Sequence, residues 1–171
     1  MRRRFGILIV VASIGAALLM AAPASGGTLG FGPPGQPGIG DFSPVTLNGT
    51  PVLTSVSIDP FSVVDSTGSG SGWNVLLTIS DLTLGGSVIP ASSMTMAAPV
   101  VTPADGASMT GVAGHATTGN LSSGEKIVTA DTGEGDGTYL VSPAVLTLTV
   151  PPDAIAGTYV AAATIAVVSG P

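Results

Sequence analysis

Apolar residues recur at every second position through much of this chain. Trp73, Val75, Leu77 and Ile79 share one side of an extended segment, with Asn74, Leu76, Thr78 and Ser80 on the other. Val52, Thr54, Val56 and Ile58 repeat the pattern, and Asp59-Pro60 stops it. Leu146, Leu148 and Val150 alternate with Thr147 and Thr149, and Tyr159, Ala161, Ala163, Ile165 and Val167 again share one face. These segments are predicted strands. Two of them, 61–65 and 73–80, flank STGSGSG, too rich in Gly and Ser for a helix, which predicts a β-hairpin with a long mobile loop.

Shorter strands are expected at 45–47, closed by Asn48-Gly49, and across 82–89 around a Gly85-Gly86 turn. Others are expected at 90–96 and 126–130, the last followed by the acidic turn 131–137. Residues 99–124 carry little pattern and read as a long loop or weak edge strands. Gly-Thr-Tyr occurs at 137–139 and again at 157–159, two strand starts after glycine turns rather than a solenoid repeat. No stretch beyond residue 24 shows a 3.6-residue apolar stripe. The expectation is an all-β fold, an antiparallel immunoglobulin-like β-sandwich over residues 45–171.

The N-terminus follows another logic. Arg2, Arg3 and Arg4 precede an apolar run over 5–22 and the A-x-A pattern Ala22-Pro23-Ala24. Residues 1–24 therefore read as a signal peptide for general secretion, cleaved after Ala24, with retention as an anchor the alternative. Residues 25–44 are rich in Gly and Pro without periodicity, a disordered or extended spacer. The G-x-G-x-x-G at 30–35 contains Pro33 and Pro34 and lacks a strand before or a helix after it, so it is no dinucleotide site.

Charge narrows the partners. Of four basic residues, three lie in the leader, so the mature chain keeps Lys126 against ten carboxylates, 1 − 10 = −9. No basic stripe exists to neutralise phosphates, which excludes nucleic acid and disfavours anionic membrane surfaces. With no cysteine, neither disulfides, a thiolate metal site nor a lipobox is available.

Catalytic chemistry has little to draw on. The one histidine, His115, sits in the glycine-rich run 111–116, expected to be an exposed loop without preorganisation. One histidine does not build the usual catalytic zinc site, and no G-x-S-x-G elbow occurs. The sequence reads as a non-enzyme without cofactor. Asp131, Glu134 and Asp136 are a weak calcium candidate, though their spacing departs from the D-x-[DN]-x-[DN]-G order, so a solvated turn is expected. Trp73 has two readings: it fills the core, or it stacks on a sugar ring or partner at the domain end.

The segments VVDSTGSGSGWNV (63–75), IPASSMTM (89–96), GEGDGTY (133–139) and LTLTVPPDAIAGTY (146–159) are together similar to the WxL domain of Gram-positive surface proteins. The first family motif is matched by Trp73-Asn74-Val75, with Val for Leu. The distal one is matched by Tyr159, Ala163, Thr164, Val167 and Pro171, with Ile165 in place of the second tryptophan. The resemblance implies a secreted protein held non-covalently at the cell wall, associating with peptidoglycan or another wall glycan and with companion surface proteins. Trp73, Asn74, Val75, Tyr159, Thr164, Ile165 and Val167 are the binding residues it implies. The alternative is a structural subunit of a surface assembly, built by strand-edge pairing.

Overall fold

The computed structural model describes residues 26–171 and the main chain of Ile9–Ser13. The predicted cleavage point after Ala24 lies outside the described residues. The strands are β1 (Ile9–Ser13), β2 (Leu29–Phe31), β3 (Val52–Ile58), β4 (Phe61–Asp65), β5 (Trp73–Ile79), β6 (Leu82–Leu84) and β7 (Ser87–Ile89). After these come β8 (Met94–Met96), β9 (Val101–Ala104), β10 (Val112–Gly114), β11 (Glu125–Ala130), β12 (Gly137–Val141), β13 (Ala144–Val150) and β14 (Tyr159–Ser169). Single 3-10 turns at Ala91–Ser93 and Leu121–Ser123 are the helical content of the described residues. The chain is an all-β sandwich.

Three sheets share one apolar core. The largest runs β10-β11-β5-β14-β6-β7, with β1 parallel on β14; the others are β2-β4-β12-β9 and β3-β13-β8, and every pair except β1 with β14 is antiparallel. β5 and β6 act as one interrupted strand along β14, since Ala163 pairs with Ile79 and Val160 with Thr83. Between them Ser80 donates its N–H to the Ala162 carbonyl at 2.9 Å, while Ala162 donates to Ser80 Oγ at 2.9 Å. This bridges the step with the bonds a regular ladder would have made.

Alternation sorts the side chains as the sequence implies. In β5 Trp73, Val75, Leu77 and Ile79 are all buried, and β13 buries Leu146, Leu148 and Val150 while Val145 and Thr149 face solvent. In β14 Tyr159, Ala161, Ala163 and Ile165 point inward. The Gly85-Gly86 turn closes the β6–β7 hairpin, pairing Leu84 with Ser87. No helix among the described residues is long and apolar enough to cross a membrane.

Three expectations are corrected. Segments 61–65 and 73–80 are not a hairpin: β4 pairs with β12 and β2, whereas β5 pairs with β11 and β14. The glycine-rich segment between them is an arch from one sheet to another. It is pinned by Gly133 N–H to the Gly70 carbonyl and by Gly170 N–H to the Gly72 carbonyl, each 2.9 Å. Residues 45–47 form no strand.

The third correction concerns residues 25–44, which are not a disordered spacer over their described part. β2 pairs along β4, Ile39 bridges to Ile58, and Phe42 is buried in the core. Gly32 N–H reaches the Ser62 carbonyl at 3.0 Å, and Phe31 meets Phe61 edge-on at a centroid distance of 5.7 Å. Backbone pairing needs no apolar run, so a Gly/Pro-rich chain docks wherever a strand edge and a few anchors are offered. The domain therefore begins before residue 45. Phe42→Ala is expected to lower stability to chemical denaturation by about 3–5 kcal/mol, the cost of emptying a buried aromatic site. A loose spacer would show no change.

Candidate functional site

Both halves of the motif pair lie on adjacent strands. β14 aligns Ser169 with Trp73, Val167 with Val75 and Ile165 with Leu77. Trp73, Val75, Tyr159 and Ile165 are fully or almost fully buried, Thr164 and Val167 half-buried. The expectation that these side chains contact a glycan is corrected for Trp73, Val75, Tyr159 and Ile165, and for the buried Asn74, which present no surface to a ligand. Of the two readings of Trp73, the core one holds.

The indole joins sheets. Its N–H donates to the Gly135 carbonyl at 2.9 Å, and its ring lies 5.5 Å from that of Tyr139 at a tilt of 56°. The Tyr139 hydroxyl lies 2.8 Å from the Ser108 carbonyl and 3.2 Å from that of Asp136. Two aromatic side chains thus hold the acidic turn and the loop around Ser108 through carbonyl oxygens. Gly135 has φ +86°, and a Cβ there would lie 2.6 Å from Trp73 Nε1 and 2.4 Å from the Ala130 Cβ. No other residue type fits under the indole.

Those bonds also settle how the acidic turn is built. Glu134 N–H bonds the Asp131 carbonyl at 3.0 Å and Asp131 N–H the Gly111 carbonyl at 2.9 Å. Among the described residues no three His, Cys, Asp or Glu side chains are placed to hold a metal ion. Asp131, Glu134 and Asp136 are not brought together as calcium ligands. Asp136 and Glu134 act instead on Tyr139, whose hydroxyl ionises above its usual 10.0, chiefly through burial and then through Asp136, Glu134 and Asp65.

His115 is exposed, its N–H on the Ile127 carbonyl and its Nε2 2.8 Å from Thr129 Oγ1. No carboxylate is among these partners. Asn74, 6 % exposed, donates from Nδ2 to the Gly170 carbonyl, and its Oδ1 has no partner among the described residues.

Sequence reasoning missed an open groove of about 360 Å³. Pro33, Pro34, Pro60, Phe61, Val100 and Leu140 are among its lining residues, and none of the lining residues is ionisable. The docking of the Gly/Pro-rich segment 29–42 onto β4 creates it, by setting Pro33 and Pro34 beside Pro60. Val100 (64 % exposed) and Leu140 (49 %) are its open apolar surface. Leu140 alternates outward from the buried Tyr139 and Val141, a sign readable in the sequence once 137–141 is taken as a strand.

Three variants or probes test the Trp73 and Tyr139 geometry. Trp73 emission is expected to be blue-shifted and poorly quenched by iodide, and Gly135→Ala to unfold at markedly lower denaturant. Tyr139 ionises less readily folded than unfolded, so the stability it contributes is complete below pH of about 10 and is lost as pH rises past its raised value. Tyr139→Phe should flatten that alkaline fall in melting temperature, and should cost about 1 kcal/mol for a lost hydrogen bond.

Comparisons with family models, with curated proteins and with solved structures find no match to this chain.

Proposed function

We propose that this chain is an exported surface module of the WxL kind, held non-covalently at a bacterial cell wall, and that it binds neutral wall glycan through the Pro33–Leu140 groove. The observation that carries the reading is the groove: open, apolar and free of ionisable lining on a chain whose mature charge is −9. Its volume of about 360 Å³ falls in the range of small-ligand sites. Proline rings and aliphatic side chains offer flat apolar surface to the C–H faces of sugar rings, and the absence of charge suits a neutral ligand over a polyanion. The WxL-like residues support the reading through the fold, because the buried Trp73, Val75, Tyr159 and Ile165 shape the core.

A second reading, a structural subunit that assembles by strand-edge pairing, is favoured by one observation. β14 is eleven residues long, contains no charged residue or proline of the kind that blunts a strand edge, and is covered on its outer side by β1 along 159–163.

The test of the first reading is retention of the secreted chain on purified peptidoglycan. Leu140→Glu is expected to cut retention at least tenfold with an unchanged circular dichroism spectrum, because that side chain lies half in solvent. Absence of retention for the unmodified chain removes the reading.

A further inference from the structure

The outer edge of β14 is covered by the part of the chain that the sequence marks for removal. β1 runs parallel along it, pairing Ile9 with Tyr159 through Ser13 with Ala163. On its other side β14 meets β5 and β6, toward which the N–H and carbonyl of Ala162 point. Backbone groups alternate along a strand, so those of Tyr159, Ala161 and Ala163 point away from β5. Further along the same outer edge, the Ile165 carbonyl is already taken by Gln36 Nε2 at 2.9 Å. Without residues 9–13, the vacant stretch is residues 159–163, and Gln36 marks its end.

We propose that β1 caps this edge in the precursor and that leader removal opens it to the same strand of a second copy. The two β14 strands pair antiparallel about a two-fold axis near Ala161. The inference rests on the strand-edge reading of the chain as a structural subunit and adds to it the edge, the partner and the trigger.

Charge selects the partner. Two copies at −9 repel across most of their surfaces, but residues 154–171 contain no charged side chain. Val160 (44 % exposed) and the nearby Ile155 (59 %) add apolar surface beside the edge. A two-fold pairing satisfies the same row of donors and acceptors in both chains, which an isologous contact requires. Around Ala161 the axis places Val160 of one copy opposite Ala162 of the other, both on the solvent side of the sheet.

That register supplies the experiment. The processed chain, recovered from the medium of an exporting host with its N-terminus confirmed by intact mass, is compared by light scattering with the unprocessed full chain. The expected result is a twofold mass for the processed chain and a single-chain mass for the unprocessed one. V160K/A162K sets lysine against lysine twice and should weaken dimerisation at least tenfold, whereas V160K/A162E sets lysine against glutamate and should preserve it. A processed chain that stays monomeric, alone or with another protein bound, overturns the proposal. So do dimers in both forms, and a secreted chain that keeps residues 9–13. Oligomers indifferent to both double variants remove this edge but leave the subunit reading standing, and a processed monomer removes both.

Discussion

One indole under one glycine carbonyl fixes how the sheets of this chain face each other. Trp73 belongs to the large sheet, Gly135 to the turn between β11 and β12, and Tyr139 to the second sheet. A buried indole N–H without a partner would forfeit about 1–3 kcal/mol, so the carbonyl under it must be held in place. It is, because the turn has its own backbone bonds and Gly135 carries no Cβ to keep the ring away. Tyr139 then braces the far side of the turn and the loop at Ser108. With no disulfide to register one sheet on another, this polar contact inside an apolar core does that positioning.

The arrangement also explains an abundance of glycine without making the chain loose. Gly72 at φ +69° brings the arch so close that a Cβ would meet the Ala130 carbonyl at 2.5 Å. The arch, the acidic turn and the C-terminal end of β14 consequently interlock through Gly70, Gly72, Gly133 and Gly170. Close approach of backbones, more than freedom of movement, is what the glycine there provides.

The longer strands were legible in the sequence; apart from the β6–β7 hairpin, their partners were not. Alternation in 52–58, 73–79, 146–150 and 159–167 records burial on one side, and burial is a property of a single segment. Pairing depends on which edges meet, and the arch at 66–72 is indistinguishable in composition from a hairpin loop. β4 did carry a hint: a strand with solvent on one face alternates, yet Ser62 and Asp65 are buried along with Phe61 and Val63. Ser62 is covered by the Gly/Pro-rich segment, with its hydroxyl donating to the Pro33 carbonyl at 3.0 Å, and Asp65 is held by Thr67. Residues 25–44 escaped notice because their hold on the domain is mostly main chain, which composition does not encode. Leu29, Phe31, Ile39 and Phe42, spaced among glycines and prolines, were their apolar markers.

The groove was illegible for the same reason, being a product of that dock rather than of any local pattern. This separates what a motif can say from what it cannot. Trp73, Val75, Tyr159 and Ile165 share the same core, each with its side chain facing inward. A motif that lives inside the core reports architecture. Recognition has to be written on the outside, where exposed apolar groups include Val100 and Leu140 on one flank and Ile155, Val160 and Val168 on another. Both are neutral surfaces on an acidic chain. For a chain with a formal net charge of −6, contact with anything, its own copies included, costs least where charge is absent.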